Sequence, residues 1–193
     1  MPIRNIAVIG AGKAGRGFAL AVTCAGFDVI LEDVMPANLR KAEADYADIT
    51  RQPDGQAGGS LAFALTVEDA VRNADLAIDF VPDELESKLE IFSLIDRMAP
   101  PRTILCTPSE ALSITDLASC VYRPDRCFAL RGSLLAQPGS APTRLIHPPA
   151  ANAELLDATE VFFKSLGLTI QVEADPDAPM LMKNLEPVRS GLA

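Results

Sequence analysis

The feature that most constrains the fold is the segment IAVIGAGKAGRG, residues 6–17, in which an apolar run leads directly into clustered glycines. Gly10, Gly12 and Gly15 have the spacing G-x-G-x-x-G between a β-rich run and a segment of helical composition. In a βαβ unit the first glycine permits a tight turn, the second lets the backbone approach a pyrophosphate, and the third lets the helix pack closely on the strand. The spacing therefore predicts a dinucleotide-binding loop, with a glycine turn that binds nothing as the alternative. The loop residues expected to contact the cofactor are Gly10, Gly12, Lys13, Ala14 and Gly15.

An acidic pair closes the second predicted strand, FDVILED, and its second member, Asp33, lies 18 positions after Gly15. A carboxylate at this place accepts hydrogen bonds from the hydroxyls of an adenosine ribose and repels the additional phosphate of NADP. The sequence therefore predicts NAD, a small-molecule dinucleotide, as the cofactor, held in part by Asp33.

Strand-like and helix-like segments alternate along the chain. Apolar runs such as IRNIAVIG and RTILCT are separated by segments of helical periodicity, the clearest being DELESKLEIFSLIDRMA. Repeated alternation with right-handed crossovers predicts an α/β fold, a Rossmann-type doubly wound, mainly parallel sheet with helices on both faces. We expect one dinucleotide-binding domain over residues 1–175 and a loop-like tail over residues 176–193.

Charge and composition exclude several classes of partner. The 193 residues have a formal net charge of −9, which argues against nucleic acid and anionic membrane surfaces because both bind basic patches. No uncharged stretch approaches the roughly 20 apolar residues of a membrane span. The first residues, MPIRN, run straight into a strand without the pattern of a signal peptide. We therefore expect a cytoplasmic protein.

The four cysteines, Cys24, Cys106, Cys120 and Cys127, have no CxxC spacing, and each has apolar neighbours. They are predicted to be reduced and mostly buried, as is usual in cytosolic proteins. With His147 as the single histidine, too few ligands remain for a metal site, and none is expected. His147 itself is expected to be a loop residue.

Two long blocks of the chain carry a resemblance to a known family: IAVIGAGKAGRGFALAVTCAGFDVILEDVMPANL and LAIDFVPDELESKLEIFSLIDRMAPPRTILCTPSEALSITDLA. Both are similar to the NAD-binding domain of 3-hydroxyacyl-CoA dehydrogenases, and the similarity continues more thinly to DAPMLMKN. The resemblance implies a nucleotide-binding fold, NAD as cofactor, and oxidation of a 3-hydroxyacyl-CoA, with acyl-CoA as a second small-molecule ligand.

The resemblance also implies roles for residues in the middle block. The backbone around Phe80 and Val81 would line the cofactor, and Asp83 and Lys88 would lie near its nicotinamide half. Considered without the resemblance, Asp83 is typical of a helix N-cap and Lys88 of a solvated helix charge. Both interpretations of each residue stay open.

At the catalytic positions the chain departs from the family pattern. The serine that contacts the substrate hydroxyl aligns with Glu110, and the general-base histidine aligns with Arg131. The glutamate that orients that histidine would fall near Thr143 or Arg144. The family asparagine is retained as Asn184.

Glu110, Arg131 and Asn184 are therefore the candidate catalytic residues. Glu110 can act as a base if burial raises its pKa. Arg131 stays protonated, so it can polarise a carbonyl or hold an acyl-CoA phosphate or a carboxylate. The simpler alternatives are an ion pair between Glu110 and Arg131, or two solvated charges.

The family normally continues beyond Asn184 into a helical domain, whereas nine residues follow it here. We therefore expect the other half of the substrate site to come from a homodimer or a separate partner chain. Three functions are consistent with the sequence. The first is an NAD-dependent oxidoreductase acting on 3-hydroxyacyl-CoA. The second is an NAD(H)-binding sensor, carrier or scaffold without dehydrogenation, and the third is an oxidoreductase for another small substrate whose anion is held by Arg131.

Overall fold

Strands and helices alternate as the sequence predicts. The computed structural model describes residues 2–51 and 58–176. Its strands are β1 (Asn5–Ile9), β2 (Asp28–Glu32), β3 (Ser60–Ala64), β4 (Leu76–Asp79), β5 (Ile104–Pro108), β6 (Cys127–Arg131), β7 (Thr143–His147) and β8 (Ile170–Ala174). Its helices are α1 (Lys13–Cys24), α2 (Pro36–Thr50), α3 (Val67–Val71), α4 (Leu85–Met98), α5 (Ile114–Ala118) and α6 (Ala153–Ser165).

The described strands form one sheet in the order β3-β2-β1-β4-β5-β6-β7-β8. Neighbouring strands are parallel from β3 to β6, β7 is antiparallel to β6, and β8 is parallel to β7. The chain progresses outward from β1 in two directions, so a topological switch point lies between β1 and β4. Open sheets of this kind bind ligands in the crevice beyond the carboxyl ends of the strands at that point. The predicted α/β, doubly wound, mainly parallel fold is confirmed.

Two apolar layers hold helices on opposite faces of the sheet. On one face, α1, α2 and α6 pack on alternate residues of the central strands, such as Val8 and Leu31. On the other face, α3, α4 and α5 pack on the intervening residues, such as Ala7 and Ile9. Alternation along each strand sends successive side chains to opposite faces, and a sheet covered on both faces therefore has apolar residues at nearly every strand position.

A run of aromatic contacts joins the end of β4 to the helices of the first face. Phe80, which follows β4, packs on Phe18 of α1, and Phe18 packs on Phe163 of α6. The ring centroids are 5.4 and 6.3 Å apart, a spacing at which tilted ring pairs attract one another. Phe80 is therefore held at the switch point by packing.

The start of α4 differs from the prediction. The N-cap residue is Glu84, its side chain makes no capping hydrogen bond, and α4 begins at Leu85. Asp83 lies one residue earlier and accepts a hydrogen bond from the amide of Glu110 at 3.0 Å. The interpretation of Asp83 as an N-cap is therefore wrong, because its carboxylate joins α4 to the loop after β5 instead.

The cysteines divide into two classes. Cys106 and Cys127 are buried, and burial raises the pKa of both thiols. Cys24, the last residue of α1, and Cys120, in the turn after α5, are exposed. The expectation of mostly buried thiols is therefore wrong for two of the four, because apolar neighbours in sequence do not bury a residue at a helix end.

Within the two described ranges, no helix combines the length and the apolar composition needed to cross a membrane. The predicted tail, residues 176–193, lies outside the described residues except for Pro176. The domain boundary at residue 175 stays a prediction.

Candidate cofactor site

The glycine loop between β1 and α1 depends on two glycines for its own geometry. Gly10 has a φ of +98°, in the region that favours glycine, and a Cβ there would lie 3.3 Å from the carbonyl of Phe80. A Cβ on Gly15 would lie 1.9 Å from the carbonyl oxygen of Gly10. These two glycines therefore bring the loop, the helix and the residue after β4 into close contact before any ligand is considered.

The second glycine of the motif, Gly12, has a different environment. Gly12 is the N-cap of α1 with a φ of −61°, which any residue adopts, and no atom lies within 4 Å of where its Cβ would be. No side chain caps α1, and its first turn contains no acidic residue. The amides of the first turn of a helix have no intrahelical acceptor and attract anions. The loop thus presents amide donors to open space, the cradle that a dinucleotide pyrophosphate requires.

Asp33 lies directly after β2 at the same edge of the sheet, and its carboxylate is held by three donors. One oxygen, Oδ2, accepts hydrogen bonds from the amide of Ala11 at 2.9 Å and from Nδ2 of Asn38 at 3.0 Å, while Oδ1 accepts from the amide of Met35 at 2.8 Å. A carboxylate has about four lone-pair directions, so one acceptor direction is left for a ligand. Asn38, which the sequence analysis missed, orients the carboxylate from the first turn of α2.

Phe80 and Val81 follow β4 on the other side of the loop, and both are half-buried. The amide of Phe80 donates to the carbonyl of Ile9 at 2.7 Å, which extends the pairing of β1 and β4 past the last strand residue. The backbone of Phe80 therefore lies against Gly10, and its role in lining the cofactor stays a prediction.

Lys88 is buried, contrary to the interpretation as a solvated helix charge. Its Nζ lies 2.6 Å from Oδ1 of Asp79, the last residue of β4, and the two side chains are 1% and 0% exposed. Burial raises the pKa of Asp79, and the charge and hydrogen bond of Lys88 oppose that rise. The pair neutralises two charges inside the sheet layer and fixes the start of α4 to the end of β4. Asp79 was missed, although an acid inside the apolar run LAIDF was a signal for it.

Glu32, the last residue of β2, is a second acid that the sequence analysis left aside. It is 3% exposed, and its Oε1 is buried without a hydrogen-bond partner among the described residues. Burial and the neighbouring charge of Asp33 raise the pKa of Glu32 to about 7, and the amide of Gly10 partly opposes the rise. The surroundings of the two adjacent acids therefore differ. The carboxylate of Asp33 has three hydrogen-bond donors, whereas the side chain of Glu32 lies in an apolar setting.

The two candidate catalytic residues that the structure describes, Glu110 and Arg131, form hydrogen bonds within the protein. Glu110 is exposed, so the burial required for its role as a base is absent, and its Oε1 accepts from the amide of Gly132 at 2.7 Å. Arg131 is 6% exposed, and its Nη2 donates to the carbonyl of Leu112 at 3.1 Å. The interpretation as two solvated charges is wrong for Arg131, and Asn184 lies outside the described residues.

The neighbouring positions are also occupied by structural contacts. Arg144 lies 3.7 Å from the carboxylate of Glu173 at the surface between β7 and β8. His147 is the last residue of β7 rather than a loop residue, and its Nδ1 lies 3.0 Å from the carbonyl of Pro148. The described residues contain no group of three or more His, Cys, Asp or Glu side chains arranged for a metal ion.

Comparison with protein families matches residues 5–131 to the family described as 3-hydroxyacyl-CoA dehydrogenase, NAD binding domain. The probable 3-hydroxybutyryl-CoA dehydrogenase of Bacillus subtilis (strain 168) is 32% identical over 143 residues, which cover 67% of this chain and 48% of that protein. The 3-hydroxybutyryl-CoA dehydrogenase of Bradyrhizobium diazoefficiens is 27% identical over 196 residues, which cover 96% of this chain and 66% of that protein. The chain thus spans about half to two thirds of the length of these relatives.

Among solved structures, that of 3-hydroxybutyryl-CoA dehydrogenase from Escherichia coli K12 superposes with a TM-score of 0.78 at 23% identity. The superposition covers 91% of this chain and 39% of that one. At this identity the likeness supports the fold.

Proposed function

Because the chain belongs to the 3-hydroxyacyl-CoA dehydrogenase family, whose NAD-binding domain it contains, we propose that it is the dinucleotide-binding part of an oxidoreductase for a 3-hydroxyacyl-CoA or a related substrate. The observation that carries the proposal is the uncapped start of α1 beside the open space at Gly12, with the carboxylate of Asp33 fixed at the same edge of the sheet. When bound, NAD supplies the nicotinamide that exchanges a hydride with the substrate carbon.

The chain's own residues bind and orient the cofactor. The amides of Lys13, Ala14 and Gly15 receive the pyrophosphate at the start of α1, and the exposed ammonium of Lys13 adds a positive charge. Asp33 accepts a hydrogen bond from one ribose hydroxyl through its remaining lone pair. The residues that line the nicotinamide half are Phe80, Val81 and Asp83, whereas Lys88 is buried in its ion pair with Asp79.

The substrate half is built differently from the family pattern. Glu110 and Arg131 stand where the family has its serine and histidine, and Arg131 cannot accept the proton that a hydroxyl loses on oxidation. We assign Arg131 to a carbonyl oxygen or an anionic group of the substrate, and Glu110 and Asn184 stay the other candidate catalytic residues. Acyl-CoA is the substrate class that the named relatives favour.

A second candidate function is an NAD(H)-binding module without hydride transfer. It is favoured by one observation: the groups that replace the catalytic residues already bind the backbone, Glu110 at the amide of Gly132 and Arg131 at the carbonyl of Leu112. In this case the chain senses or carries the cofactor, or serves as a scaffold.

We also propose that protein beyond the matched residues 5–131 completes an acyl-CoA site, with a second copy in a homodimer or a partner chain as the candidates. The relatives are longer than this chain, which supports a larger assembled site. The four cysteines are free thiols, as is usual in a reducing compartment, and this supports placement in the cytoplasm.

Titration with NADH, followed by its fluorescence, tests the cofactor site. We expect saturable binding that weakens at least roughly tenfold in Asp33→Ala, since loss of one charge-assisted hydrogen bond costs about 1.5–3 kcal/mol. Asp33→Asn, which keeps the shape, is expected to reduce the preference for NADH over NADPH. Asp157→Ala, at an exposed acid of α6, is the control and should bind as the wild type. Equal binding by wild type and Asp33→Ala contradicts the assignment.

Mixing NADH with acetoacetyl-CoA separates the two candidate functions. Loss of NADH absorbance at an ordinary enzymatic rate, on the order of 10 per second, supports the oxidoreductase. Saturable NADH binding with no turnover above the rate without protein supports the binding module.

A further inference from the structure

Glu32 is the one acid of the cofactor edge whose charge the described structure does not compensate. It is the last residue of β2, its side chain is 3% exposed, and its Oε1 has no hydrogen-bond partner among the described residues. A buried carboxylate oxygen without a donor disfavours the ionised form, whereas a buried neutral carboxyl is tolerated. The geometry therefore favours a proton on Glu32.

The sheet register places the backbone of Glu32 beside the end of β1, from which the dinucleotide loop begins. Glu32 pairs with Ile9 of β1 on one side and with Ala64 of β3 on the other. The backbone carbonyl of Glu32 accepts from the amide of Gly10 at 2.8 Å, so the residue is joined to the first glycine of the loop. Negative charge received by the loop is therefore added next to a residue whose backbone the loop itself contacts.

The charged groups around Glu32 are few and already paired. Asp33 follows it and has three hydrogen-bond donors of its own. In the same register row, Ile9 of β1 separates Glu32 from Asp79 of β4, whose charge is matched by Lys88 of α4. The charged residues of the remaining packed helices are exposed or paired at the surface. They are Lys13 and Arg16 of α1, Arg40, Lys41, Glu43, Asp45 and Asp48 of α2, and Glu68 and Asp69 of α3 with Arg72 at its end.

We propose that Glu32 is a proton-binding group of the dinucleotide site, and that the cofactor binds to the form in which Glu32 is protonated. The inference rests on the proposed cofactor site. A bound pyrophosphate adds negative charge at the loop, and a bound adenosine excludes water from the edge of β2. Both effects oppose ionisation of Glu32, so binding takes up a proton wherever Glu32 is ionised in the unliganded protein.

The pH range follows from the direction of the shift. The pKa of Glu32 is raised to about 7 in the unliganded protein, and a bound dinucleotide raises it further. Affinity is therefore constant below about pH 7 and falls above it, until the pH passes the higher pKa of the complex. A further rise of one unit corresponds to binding that is about tenfold weaker at pH 9 than at pH 6.

Calorimetric titration with ADP-ribose at several values between pH 6 and pH 9 tests this. ADP-ribose has the adenosine and pyrophosphate but no nicotinamide, and its pyrophosphate does not change charge in this range. For the wild type we expect the roughly tenfold weakening, together with net proton uptake on binding near pH 8, measured in two buffers of different ionisation enthalpy. Glu32→Gln, which keeps the shape without the charge, should bind with an affinity independent of pH.

Glu43→Gln is the matched control, because Glu43 is an exposed acid of α2, and it should retain the wild-type pH dependence. Melting temperatures provide a readout without ligand: relative to Glu32→Gln, the wild type should lose stability as the pH rises from 5 to 8, since a raised acid pKa stabilises only the protonated form.

Wild-type affinity that is flat in pH, zero proton uptake, or an equal slope in Glu32→Gln would each overturn the inference while leaving the cofactor site standing. If Glu32→Gln does not fold, the proton count of the wild type decides alone. Absence of ADP-ribose binding at pH 6 would instead overturn the proposed function, and this inference with it.

Discussion

Replacing three glycines in the loop and the first turns of α1 by alanine, one at a time, separates the glycines that the fold requires from those that a bound ligand requires. The added methyl group is the same in Gly12→Ala, Gly15→Ala and Gly17→Ala, and the three positions lie within six residues. Their surroundings differ: a Cβ meets the Gly10 carbonyl oxygen at 1.9 Å from Gly15, a methyl of Leu135 at 3.6 Å from Gly17, and no atom within 4 Å from Gly12.

The distances set the expected changes in the free energy of unfolding. Gly15→Ala forces the loop away from α1, and overpacking of this kind costs about 1–3 kcal/mol or more. Gly17→Ala makes an ordinary contact inside a helix, where alanine is about 0.5–1 kcal/mol more favourable than glycine. Gly12→Ala keeps an allowed backbone at an N-cap, so we expect a loss of less than about 1 kcal/mol.

The three variants should rank differently in NADH affinity than in stability. In Gly12→Ala the methyl group occupies the open space before the first amides of α1, where the pyrophosphate is proposed to lie. Loss of one amide–phosphate hydrogen bond, about 1.5–3 kcal/mol, weakens NADH binding roughly 10- to 150-fold. Gly17→Ala should bind as the wild type. Gly15→Ala should lose both stability and binding.

Urea unfolding and NADH fluorescence titration of the four proteins measure both quantities. The decisive variant is Gly12→Ala, which is expected to be nearly as stable as the wild type and defective in binding. Wild-type affinity in a folded Gly12→Ala would refute the idea that the open space at the start of α1 receives the dinucleotide. A Gly15→Ala protein as stable as Gly17→Ala would refute the packing argument.

Two further predictions concern buried groups. Lys88→Met leaves Asp79 charged and unpaired inside the sheet layer, which should lower the free energy of unfolding in urea by about 3–5 kcal/mol. The double variant with Asp79→Asn should regain most of this stability, because the buried charge is gone. Equal stability of the single and double variants would contradict the buried pair. Among the cysteines, a thiol reagent such as DTNB should label the exposed Cys24 and Cys120 in the native protein and label Cys106 and Cys127 only after unfolding; four equally fast thiols would contradict the burial.

The parts of the site that depend on local backbone geometry were predictable from the sequence. A G-x-G-x-x-G spacing between a strand and a helix specifies a turn, a close approach and a helix start within a few residues. The position of Asp33 at the edge of the sheet was predictable for a similar reason, because it directly follows a strand that pairs with β1. Each of these inferences uses only neighbours along the chain and the parallel pairing of adjacent strands.

The buried charges were not predictable in the same way. A lysine on an amphipathic helix is exposed by default, and only the packing of α4 across the end of β4 places Lys88 against Asp79. The burial of Glu32 was equally hard to predict, since it depends on neighbours from β1 and β3. In both cases the available signal was an acid inside an apolar strand, and such a residue marks either a strand end or a buried pair.

The two halves of the site differ in what holds them together, and this bears on the choice between the two candidate functions. Backbone contacts, such as that of Gly10 with Phe80, hold the cofactor half in shape. These contacts do not depend on whether the protein catalyses a reaction. In the substrate half, Glu110 connects two loops, since its amide donates to Asp83 and its carboxylate accepts from the amide of Gly132. A side chain that closes such a connection must break it to move a proton. The geometry around Glu110 therefore favours cofactor binding over proton transfer by this residue.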